Sequence, residues 1–207
     1  MNTNMHGGTT VAGNTESGGG RRGRLWKRPA WITALILLIP FLGNHFVDGW
    51  NWPLGAFILA GTLLFGTGLA FELVARKADT IWYRAAVGVA LATAFVLVWI
   101  NLAVEVIGDD NPANLMYFGV PIVGLIGAAI ARFRPHGMAR ALFATGLAQA
   151  LVPVIALILW NPRVTSWAPG VLPVFGLNAV FVLLFVGSAL LFKKAARGNP
   201  HRARYNQ

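Results

Sequence analysis

The sequence predicts an all-α fold, a polytopic transmembrane bundle of six helices. Three observations predict it. Of the 207 residues 56% are hydrophobic and only 12% charged, and mean hydropathy is +0.61; soluble domains carry about 25% charged residues. Six apolar stretches, at 30–47, 53–75, 81–107, 113–133, 138–160 and 171–192, approach or exceed the roughly 20 residues that a bilayer core demands. The basic residues are also distributed unevenly between alternate connections, as multi-pass chains require.

Those spans use most of the chain and leave no room for a large soluble domain. Residues 1–28 are expected to form a disordered tail with a basic end, 29–194 the membrane domain and 195–207 a basic tail. The first twenty residues are mostly Gly, Asn, Thr and Ser and have too little apolar surface to offset the entropy of ordering. The Arg21–Arg22 pair resembles a twin-arginine export signal. With no small-residue cleavage site after it and five more spans downstream, it reads as a positive flank that pins the N-terminus inside.

Span 1 carries Pro40, which is expected to kink it, and ends in the polar run Asn44 to Asp48. Span 2 opens at Pro53 with Asn51 as a nearby cap, and its Gly61, Gly66 and Gly68 favour close helix contact. Asp79–Thr80 caps span 3, which is expected to reach about Ile107. The short connection 108–111 makes spans 3 and 4 an antiparallel hairpin, with Asn111 as cap and Pro112 in the first turn of span 4. Gly124 and Gly127 mark tight packing on span 4; span 5 contains Gln149 and Pro153, and span 6 contains Asn178.

Orientation follows from charge. With the N-terminus inside, sixteen of the seventeen Lys and Arg residues fall in inside segments, and only Arg163 lies outside. An even span count returns the C-terminus inside. Seven of the eight tryptophans fall at the expected interfaces, and Trp99 lies deeper.

Several chemistries are excluded or disfavoured. There are no cysteines, hence no disulfide, thiolate site or Cys nucleophile. His45 and His136 are expected a bilayer apart, which disfavours haem ligation or a His metal cluster within one chain. Ser17, Ser166 and Ser188 have no histidine at matching depth, which argues against an intramembrane hydrolase. The net charge of +10 faces anionic lipid in a chain of this class, so nucleic acid is not an expected partner. No cofactor is expected, and the chain is not expected to be an enzyme.

The candidate functional residues are polar groups in or beside the spans. Glu72 sits about one turn inside span 2, and an intramembrane acid is a functional candidate by default. Arg76, four residues on, makes a structural ion pair the stronger reading. Asn101 and Gln149 are buried amides that tie helices together or line a solute path. Glu105, Asp109, Asp110, Asn111 and Asn114 form the densest acidic and amide cluster in the chain. They are expected to make an outward patch that caps span 4 and meets a periplasmic segment or a cation.

An offset of 56 residues aligns Gly68–Leu69 with Gly124–Leu125, Ala75–Arg76 with Ala131–Arg132 and Arg84–Ala85 with Arg140–Ala141. Spans 2–3 and 4–5 therefore read either as copies of one hairpin or as chance matches between similar compositions. The strings NPANLMY (111–117) and RFRPHGMARALF (132–143), with FELVAR, YRAAVGVAL and WINLAV, resemble an uncharacterised family of small multi-pass bacterial inner-membrane proteins. The resemblance covers roughly residues 30–160. It implies a bacterial inner-membrane location and no particular activity. The family pattern has Gly at the position of Glu105, a departure that weighs against a functional role for that carboxylate.

The expected function is that of a non-enzymatic accessory or structural membrane protein. Its partners would be the lipid bilayer and either another membrane protein or a second copy. The alternative is a small-solute or ion transporter or channel that uses buried polar residues of helices 2, 3 and 5. Transport requires Glu72, Asn101 and Gln149 to share one wet cavity. A scaffold requires each to be paired locally.

Overall fold

The computed structural model describes residues 26–76, 78, 80–108 and 111–198. Six long helices occupy these residues: α1 Lys27–Phe46, α2 Leu54–Ala75, α3 Ile81–Val104, α4 Met116–Ile130, α5 Pro135–Leu159 and α6 Val171–Arg197. A 3-10 turn, Pro112–Leu115, leads into α4. Six helical segments, that turn joined to α4, are long and apolar enough to cross a membrane. The protein is thus an all-α bundle of multi-pass membrane type. Arg21, Arg22 and most of both expected tails lie outside the described residues.

The helices alternate in direction. One end gathers the start of α1, Arg76, Ala78 and Thr80, the α4–α5 turn and the end of α6, where the Tyr83 hydroxyl donates to Phe133 O at 2.7 Å and Lys194 Nζ lies 3.5 Å from the Trp82 ring centroid. The other end gathers residues 47–53, 105–108, 111–115 and 160–170, joined where Gly108 N donates to Ala168 O at 3.1 Å.

Helices α3 to α6 supply the core. Near the second end Leu97, Tyr117, Val120, Val152, Val174, Phe181 and Phe185 pack together. Near the first end Tyr83, Val87, Met138, Leu142, Ala189 and Phe192 form a second cluster, with Tyr83 edge-on to Phe192 at 5.0 Å. The α1–α2 hairpin lies beside α3 and buries little of its own surface; its exposed Trp31, Leu35, Ile39 and Ile58 suit contact with lipid.

Small residues set the closest approaches, as expected for helices without a hydrophobic drive to associate in lipid. A Cβ at Gly127 would stand 2.7 Å from Ala141 Cβ, and one at Gly124 would stand 3.2 Å from Thr145 Oγ1, so α4 lies tightly on α5. Gly61 and Gly68 serve α1 in the same way, whereas Gly66 faces open space. Pro40, Pro121 and Pro153 all sit inside helices that continue past them.

Three local expectations need correction. Asn51 does not cap α2; Pro53 is the N-cap residue, without a side-chain bond. Asn44 instead clasps that connection, accepting from Trp52 N at 2.7 Å and donating to Trp52 O at 2.9 Å. The third helix stops at Val104, short of Ile107, because Glu105 turns away at φ +49°. Val106 and Ile107 are apolar because they are buried in the core from a loop, not because they continue a helix. Trp167, expected at the lipid interface, is buried and donates Nε1–H to Trp160 O at 2.8 Å.

Candidate functional site

The polar candidates fall into three separate constellations. The first closes the second end of the bundle around Asn114. This buried amide accepts from Ile107 N at 2.9 Å. Its Nδ2 group is shared among Gly108 O at 3.0 Å, Glu105 Oε2 at 3.1 Å and Ile107 O at 3.4 Å. One side chain thus satisfies backbone groups of Ile107 and Gly108, which are buried in a loop where an unpaired peptide group is costly. Asn101 Nδ2 donates to Asn114 O at 3.0 Å and ties the end of α3 to the 3-10 turn.

Asn111 caps as the Asn–Pro order predicts, though it caps the 3-10 turn before α4. Its Oδ1 accepts from Ala113 N at 3.0 Å. Its Nδ2 donates to Ser166 O at 3.3 Å and reaches the α5–α6 connection. Gly108 completes the join: φ is +59°, and a Cβ there would overlap the Ser166 carbonyl. Asn111 and Asn114, expected in an outward patch, are instead buried, as is Asn101 beside them. Asp109 and Asp110 lie outside the described residues.

The second constellation lies between α4, α5 and α6. Gln149 Nε2 donates to Asn178 Oδ1 at 2.8 Å. Asn178 Nδ2 in turn donates to the Tyr117 hydroxyl at 2.8 Å and to Val174 O at 2.7 Å. All three side chains are buried. Tyr117 was not among the sequence candidates. The available signal was a tyrosine in an apolar span, whose hydroxyl needs a partner when buried.

The third is the Glu72–Arg76 pair at the opposite end of the bundle from Asn101. Arg76 Nη2 lies 3.1 Å from Glu72 Oε1, and the Arg76 side chain is 42% exposed. The expected one-turn pairing is present. Such a pair stabilises a helix modestly.

Glu72, Asn101 and Gln149 thus have separate partners and do not converge. Asn101 Oδ1 and Gln149 Oε1 are buried acceptors that no donor reaches among the described residues. Among the described residues, no group of three or more His, Asp and Glu is placed to hold a metal ion. Comparison with protein-family models, curated proteins and solved structures finds no match to this chain.

Proposed function

We propose that this chain is a non-enzymatic accessory or structural protein of the bacterial inner membrane, with both termini in the cytoplasm, that works by packing against membrane partners or a second copy. Local pairing carries this reading. Glu72 is held by Arg76, Asn101 by the Asn114 carbonyl and Gln149 by Asn178. Each bond joins neighbouring turns or helices, the use that polar groups have as glue in a bundle. Charge bias supports the orientation, and the NPANLMY and RFRPHGMARALF strings support the bacterial family.

The unpaired acceptors Asn101 Oδ1 and Gln149 Oε1 favour a second reading, a small-solute or ion transporter. A buried acceptor without a donor is a place for a water or a cation. Gentle-detergent purification with identification of co-purifying proteins, beside flux assays in proteoliposomes, separates the two. The scaffold reading expects a stoichiometric partner or self-association and no flux. Solute flux abolished by Gln149→Leu in a folded protein would replace it with transport. Cysteines at Val164 and Pro135 test orientation: an impermeant thiol reagent on intact cells should label only the first.

A further inference from the structure

We propose that the ends of α5 and α6 form a binding site for a phosphate-bearing anion at the membrane surface. A concavity of about 330 Å³ lies there, lined by His136, Ala139, Arg140, Phe143, Lys193 and Arg197. Three of the six lining residues carry permanent positive charge, the fourth polar one is a histidine, and no carboxylate lines it.

A bias of basic residues toward one end is ordinary for a membrane protein. Their convergence in one concavity is a separate fact. Among the described residues, the Glu72–Arg76 pair is the one ion pair, and no described carboxylate is paired with Arg140, Lys193 or Arg197. The adjacent Lys194 is engaged elsewhere, over the Trp82 ring. Lys193 Nζ instead stands 4.7 Å from the Phe143 ring centroid, which holds the ammonium on the wall of the concavity. Arginine offers a planar fork that matches phosphate oxygens, and lysine adds a point charge.

The surroundings suit a lipid headgroup as the source of that phosphate. On α5, His136, Arg140, Phe143 and Leu147 follow helical spacing along one face; on α6, Arg197, Lys193 and Leu190 do the same. Leu147 is 62% exposed and Leu190 53% exposed, so the basic concavity continues into an open apolar surface that an acyl chain can cover. Basic pockets between transmembrane helices recognise anionic headgroups by this combination.

The test uses the full chain in neutral detergent, where no charged surface contributes. Native mass spectrometry counts bound phosphatidylglycerol or cardiolipin against phosphatidylcholine, and inorganic phosphate is added in excess in a parallel arm. The parent should retain the anionic lipids selectively. Arg140→Gln with Lys193→Gln should weaken that retention by roughly thirtyfold. Lys27→Gln with Arg28→Gln, which removes equal charge from the start of α1, should leave it unchanged, and Arg140→Lys with Lys193→Arg should restore much of it. All four pocket side chains other than Phe143 and Ala139 are exposed, so the variants should melt like the parent without lipid. Retention of lipid by the pocket variant, or equal loss in both charge-removal variants, overturns the site. Displacement of lipid by inorganic phosphate supports the site and assigns it to free phosphate; persistence of the lipid assigns it to the headgroup.

Discussion

Gln149 Nε2 donates to Asn178 Oδ1 at 2.8 Å, and the two residues sit on neighbouring helices in the core of the bundle. Asn178 also reaches Tyr117, so a single amide holds α4 and α5 to α6. Each of these groups was a liability for an apolar interior until it met the others.

Truncating this junction should therefore show coupling. Gln149→Leu and Asn178→Leu should each lower stability, and the double variant should lose less than the sum. The interaction energy is expected near the 0.6 to roughly 1.7 kcal/mol range for interhelical bonds in membranes. Unfolding of the four proteins in mixed micelles reads it directly. Strict additivity would mean that the bond contributes nothing beyond its separate parts.

Asn111 and Asn114 are near neighbours with unequal tasks. Asn111→Ala removes a cap and should cost about 1 kcal/mol. Asn114→Ala strands the Ile107 N–H and the Gly108 carbonyl in a buried setting and removes a contact to Glu105, and should cost about 2 to 3 kcal/mol. The same unfolding series checks the order. A larger loss at Asn111 would show that its reach to Ser166 dominates the junction.

Glu105 holds a positive φ of 49°, a conformation that favours glycine. Glu105→Gly should relieve about 1 kcal/mol of backbone strain while losing the side-chain interactions of Glu105, the bond to Asn114 among them. Glu105→Ala loses the bond and keeps the strain, so it should melt lower than the glycine variant. Equal melting of the two variants would show that strain at this residue is negligible.

Glu72→Gln removes one member of a partly exposed one-turn pair. The expected loss is about 0.3 to 0.5 kcal/mol, and it should shrink at high salt. A loss of several kcal/mol would mean that the carboxylate serves more than Arg76.

Much of the fold was legible because its signals are local. Hydropathy marked all six spans, and Thr80 and Asn111 cap where side-chain chemistry and a following proline suggest. The Glu72–Arg76 pair was readable because helical spacing alone brings the two together. The end of α3 was not legible. Val106 and Ile107 are as apolar as a helix interior, and the Asn114 side chain, distant from them in the pattern, is what pairs the Ile107 backbone in the buried loop.

Span count, small-residue helix faces and the list of polar groups in need of partners were thus determined by the sequence alone. The tertiary structure decided which partner each group found. Gln149 is joined to Asn178 across 29 residues, Asn178 to Tyr117 across 61, and Ser188 to the Ala86 carbonyl across 102. An apolar surround makes a partner compulsory for each buried polar group, and helix composition shows that need. The identity of the partner depends on which helix faces which and at what depth, a property of packing that no single stretch of sequence contains.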